Sequence, residues 1–131
     1  MAEEALLERL DRLHEEHKNK TILAEIAALP EEIRREYGIQ GRLARALGNL
    51  GQMKKALEVL ESTREEGEND PLWWYRTARA LLGLDRFQEA KQYFAQALEL
   101  DPTDRDARYF IPLCDTMANK GESQAGKRNK Y

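Results

Sequence analysis

Two pairs of arginines stand out by type and spacing. Arg42 and Arg45 are three residues apart, and Arg76 and Arg79 repeat the pair 34 residues further on. Residues three apart share one face of a helix. A guanidinium is a planar fork of fixed donors that matches a carboxylate, whereas lysine offers only a point charge. Four such forks brought onto one surface would suit an acidic segment or a C-terminal carboxylate. The opposing expectation is internal pairing. Glu36, or an acid nearer the N-terminus such as Glu8, Asp11 or Glu15, would neutralise the arginines within the chain.

Other reactive residue types give less. His14 and His17 lie three apart, but no third ligand accompanies them, so no metal site is expected. Cys114 has no histidine near it and sits in an apolar stretch, which predicts an inert small side chain. The acidic run Glu65, Glu66, Glu68 and Asp70 reads as a solvated helix end rather than a calcium loop. No glycine-rich phosphate loop, serine elbow or paired catalytic spacing is present, so neither an enzyme nor a bound cofactor is expected.

The elements that must carry the arginines follow from a repeat. Aligning residues 37–70 with 71–104 superimposes Ala44 on Ala78, Ala46 on Ala80, Leu47 on Leu81, Ala56 on Ala90, Leu60 on Phe94 and Asp70 on Asp104. A period of this length marks a stack of supersecondary units. Strand-favouring residues are scarce (Val59 is the only valine), and the strong helix formers dominate. In the second unit, Asp70 suits an N-cap and Pro71 the first helical position. Trp74, Ala78 and Leu81 then recur at helical spacing. Asp85 with Gln88 predicts a capping box for the next helix. That helix carries Phe87, Ala90, Phe94, Ala97 and Leu98 on one stripe, and Pro102 closes the unit.

The run Trp74-Tyr75, Ala78, Phe87, Glu89-Ala90, Tyr93-Phe94 and Ala97 through Pro102 resembles the tetratricopeptide repeat signature. The preceding unit keeps Leu43, Ala44, Leu47, Gly51, Ala56 and Leu60 but departs at Gln40, Thr63 and Glu68. The resemblance implies an all-α fold, a right-handed superhelix of antiparallel helix hairpins. It also implies that the first helix of each hairpin lines a concave, partner-binding face. Arg42, Arg45, Asn49, Tyr75, Arg76, Arg79 and Tyr109 are the residues it places there, with Trp74 in the core. Members that clamp acidic chaperone tails use lysines and asparagines at set positions. Here Gly41, Arg45 and Arg76 stand in place of three of them, which argues against that partner.

The expected organisation is one helical repeat domain over residues 1–120. It comprises a divergent hairpin over 3–29, repeats over 37–70 and 71–104, and a capping helix over 104–120 that Pro112 would kink or end early. Residues 121–131 turn polar and read as a disordered tail. With a single cysteine, a net charge of −3 and acidic residues at its start, the chain reads as cytoplasmic, not directed to nucleic acid and not membrane-spanning. The expected function is a protein–protein interaction module that binds an acidic peptide or partner segment. The alternatives are a scaffold that associates with its own copies and a toxin-neutralising binding protein.

Overall fold

A computed structural model describes residues 3–128 of the chain, with side chains as far as residue 121. Among the described residues there are nine helices and no strand. They are α1 (Glu4–Glu15), α2 (Asn19–Ala27), α3 (Glu31–Arg34), α4 (Tyr37–Asn49), α5 (Met53–Ser62), α6 (Arg64–Gly67), α7 (Pro71–Gly83), α8 (Phe87–Leu100) and α9 (Arg105–Arg128). The all-α helical-repeat class agrees with the sequence. The helices gather into two compact units, residues 1–68 and 69–131.

The hairpins share one turn geometry. His17, Gly51 and Asp85 have φ of 59°, 80° and 60°. They are spaced 34 residues apart, each two residues past the end of a long helix. The next residue donates its N–H back to the helix: Lys18 to Leu13 O at 2.9 Å, Gln52 to Leu47 O at 2.9 Å, and Arg86 to Leu81 O at 3.0 Å. A left-handed residue followed by this bond is the Schellman ending, which satisfies carbonyls that the helix leaves without donors. The N-terminal hairpin is therefore in the same 34-residue register as the other two, although its side chains diverge. The capping box expected at Asp85 is not formed. Asp85 is the left-handed residue closing α7, a conformation that short polar side chains tolerate. Arg86 is the N-cap of α8 instead, without a side-chain cap, and it pairs with Glu89 at 2.9 and 2.7 Å.

In the first unit, Leu10 and Leu13 of α1, Ile22 and Ile26 of α2, and Ile39 and Ala46 of α4 make one buried cluster, with Leu6, Leu7, Leu23, Leu29, Ile33 and Leu43 half-buried around it. Burying a side chain of this size contributes roughly 1.5–3 kcal/mol. Helix α4 packs against α1, α2, α3 and α5, so the arginine-bearing helix is held from several sides. Pro30 does more than break the chain: it opens α3, and its carbonyl accepts from Ile33 and Arg34.

In the second unit, the Asp70 side chain accepts from Leu72 N at 3.0 Å, as a capping aspartate should. Helix α8 packs against both α7 and α9. Ala90 and Ala97 are fully buried on it beside Phe94, and their small size permits close helix approach. Trp73 is 2% exposed and Trp74 is only half-buried, reversing the expected order. The physical reason lies in the register: Ile39, Trp73 and Ala107 are 34 apart and all buried. Trp74 meets Tyr93 of α8 at 5.1 Å between ring centres.

Helix α9 starts 34 residues after α7 and runs to Arg128, through Pro112 and past residue 121 where the tail was expected. Gly121 is a weak breaker, and no proline follows it. Residues 129–131 of that expected tail lie outside the described residues. Ala107 and Cys114 take the buried positions that Trp73 and Ala80 hold in α7. By contrast, Arg108, Pro112 and Asp115 stand where α7 has Trp74, Ala78 and Leu81, so the stripe that α7 turns toward its hairpin partner is polar and broken in α9.

Candidate functional site

In the first unit, the arginine pair of α4 is met by a carboxylate from α1. Arg42 donates from Nε and Nη2 to the two oxygens of Asp11, at 3.0 and 2.9 Å. Arg45 donates from Nη2 to Asp11 Oδ1 at 2.9 Å. A further bond, Arg42 Nη1 to Gly38 O at 2.9 Å, fixes the first fork against its own helix. The two arginine side chains are each 19% exposed and Asp11 is 41% exposed, so the carboxylate forms the outer layer of the cluster. Arg45 Nε is buried with no acceptor. Partial burial pushes the Asp11 carboxyl up, but the hydrogen bonds and charges of Arg42 and Arg45 outweigh it and hold the group below its ordinary range. Asn49, at the end of α4, reaches Asn19 Oδ1 at 3.4 Å and lies 3.3 Å from His14 Nδ1.

In the second unit, the equivalent arginine is held differently. Arg79 lies over the Phe110 ring, with Cζ 4.8 Å from its centre. Its Nη1 donates to the Tyr75 hydroxyl at 3.0 Å. Phe110 stacks on buried Phe94 at 5.1 Å and an 11° interplanar angle, so the platform under the guanidinium is anchored in the core. Tyr109 meets Phe110 edge-on at 5.3 Å and is 65% exposed. Among the described residues, no acid pairs with Arg79, which is itself exposed. Arg76 is half-buried one turn earlier on α7.

The structure thus brings Arg42 and Arg45 together in one unit, and Tyr75, Arg79 and Tyr109 around Phe110 in the other. Asp11 is the residue whose position sequence reasoning left among several candidates. The signal was present, since Asp11, Arg45 and Arg79 are 34 apart. His17 is not on the first helix but in the turn after it, and His14 sits beside Asn49. Burial is the main force raising the Cys114 thiol, helped by the Asp115 charge. Among the described residues no group of three or more metal-binding side chains gathers, and no helix is long and apolar enough to cross a membrane.

Residues 71–104 match the family model described as tetratricopeptide repeat. These residues span α7, α8 and the Asp70-to-Asp104 period seen in the sequence. A comparison with curated proteins gives no match. With that repeat embedded in hairpins that keep its 34-residue register, the chain is an all-helical repeat protein of the tetratricopeptide type.

Proposed function

We propose that the chain is a protein-interaction module whose second unit receives an acidic segment of its partner, with Arg79 as the anchor. Tetratricopeptide repeats serve generally as protein-binding rather than catalytic elements, which supports the coarse reading. The observation that carries the finer one is the state of Arg79. Its fork is exposed and oriented by Tyr75 and Phe110, and no acid of the described chain pairs with it. A cation pinned in this way loses little rotamer freedom when a carboxylate arrives. Arg76 adds charge on the same helix, while Tyr75 and Tyr109 add contact area. Arg42, Arg45 and Asn49 belong to the same proposed surface type, but their donors are already engaged.

The test is titration of a fluorescent hexaglutamate peptide into the wild type and Arg79→Gln. Loss of a charged hydrogen bond of about 1.5–3 kcal/mol predicts roughly 10- to 100-fold weaker binding, and binding that weakens with salt. Equal affinity in the two proteins would remove Arg79 as the anchor.

Self-association is the second reading, favoured by exposed Tyr109 and by Leu72 at 46% exposure. The polar stripe Arg108, Pro112 and Asp115 counts against end-to-end stacking through α9. Sedimentation over a concentration series distinguishes a monomer from such assemblies. No feature of either unit favours the toxin-neutralising alternative.

A further inference from the structure

We propose that Asp11 is a built-in occupant of a second carboxylate site, in which Arg42 and Arg45 would otherwise receive an acidic side chain or chain terminus of a peptide partner. This extends the carboxylate reading of the second unit to the first, and rests on that reading for its chemistry.

The geometry is that of a ligand in a receptor. Two forks from adjacent turns of α4 converge on one carboxylate, and that carboxylate comes from another helix, 31 and 34 residues away. The two cations share a single anion, so the cluster keeps a net positive charge. Arg45 gives Asp11 only one hydrogen bond, and its buried Nε finds no acceptor. The donor set therefore exceeds what one aspartate can use. The layering points the same way. Asp11 is 41% exposed and the arginines beneath it 19%, so removing the aspartate side chain would leave both forks facing the opening it now fills.

The repeat register says what Asp11 decides. The pair on α4 and the pair on α7 occupy equivalent positions, yet only the first has an acid from a preceding helix within its own unit. An aspartate fixed on a rigid helix competes as a ligand of high effective concentration, at least millimolar. A partner with one carboxylate would not displace it. Asp11 thereby determines which arginine pair of the chain is open to ligand.

Chemical rescue tests this without using the second unit. The melting temperatures of wild type, Asp11→Ala and Asp11→Ala/Arg42→Gln are measured in about 0.1 M sodium acetate and in sodium chloride of the same ionic strength. Acetate is expected to raise the midpoint of Asp11→Ala by about 5 °C over chloride and to leave the other two unchanged. A second measurement uses the Arg79→Gln background, in which Asp11→Asn should tighten hexaglutamate binding by about 10-fold. Should Asp11→Ala fail to fold, the neutral isostere Asp11→Asn carries the test alone. Identical midpoints in acetate and chloride, or no gain with Asp11→Asn, would overturn the proposal. Failure of the Arg79 anchor would show only in the wild-type comparison with Arg79→Gln, so the two ideas fail separately.

Discussion

Asp11 accepts both free edges of the Arg42 fork, at 3.0 Å from Nε and 2.9 Å from Nη2, and so ties α1 to α4 by a bidentate bond across 31 residues of chain. The same carboxylate takes Arg45, and its ionised form is favoured over the protonated one. A carboxyl whose folded pKa lies below its unfolded value of about 3.9 adds stability above that value. The contribution is lost as pH falls from there through the folded value.

The wild type should therefore lose stability more steeply than Asp11→Asn below about pH 4. At pH 7 the variant should be less stable by about 1 kcal/mol, a modest figure because the pair is partly exposed. Urea unfolding at a series of pH values measures both. Parallel pH profiles for the two proteins would mean that Asp11 titrates alike in both states.

Arg79 and Phe110 should behave as a coupled pair. Phe94→Ala, in the fully buried layer beneath, should cost about 3–5 kcal/mol. The half-buried Phe110→Ala should cost less, roughly 1–2 kcal/mol. A double-mutant cycle of Phe110→Leu and Arg79→Gln should give a coupling of about 0.5–1 kcal/mol, the size of an exposed cation–ring contact. Strictly additive losses would show that the guanidinium gains nothing from the ring.

The left-handed turn residues predict effects of opposite sign. Gly51→Ala places a Cβ at φ of 80° and should destabilise by about 1 kcal/mol. Asp85→Gly and His17→Gly relieve the same constraint. Each should be neutral or stabilise by a few tenths of a kcal/mol, since glycine also raises the entropy of the unfolded chain. Thermal melts of the three variants check this ordering.

Cys114 is 1% exposed and its thiol is pushed up by burial. At pH 8 it should react with a thiol reagent only as fast as α9 opens, and become fully reactive in denaturant. Rapid stoichiometric labelling of the folded protein would show that α9 leaves the thiol accessible.

The hairpins of α4–α5 and α7–α8 were legible because small residues recur against large ones in strict register: Ala44 with Ala78, Ala56 with Ala90. The first hairpin hid the same register, because it fills those positions with Leu10 and Ile22 in place of alanine. Its turn was hidden as well, since His17, Gly51 and Asp85 share a backbone angle and no side-chain chemistry. Without that register, Asp11 was one acid among several. The order of Trp73 and Trp74 was missed because the signature position was weighed above the alignment of Trp73 with Ile39. Helix α9 outran its expected end because polar composition alone does not stop a helix that no proline interrupts.

The turns spaced 34 residues apart also set a frame for changes in chain length. Excising residues 51–84 would join α4 directly to the Asp85 turn, with the same backbone conformation at the seam. Ala44, Ala46 and Leu47 would then stand where α8 now meets Ala78, Ala80 and Leu81. Such a shortened chain should still fold as helical hairpins. A cut one residue longer or shorter would turn every downstream face by about 100° and put its apolar stripe in water. Gains and losses of sequence in this protein are thus confined to whole hairpins, and the number of binding helices can change only in integral steps.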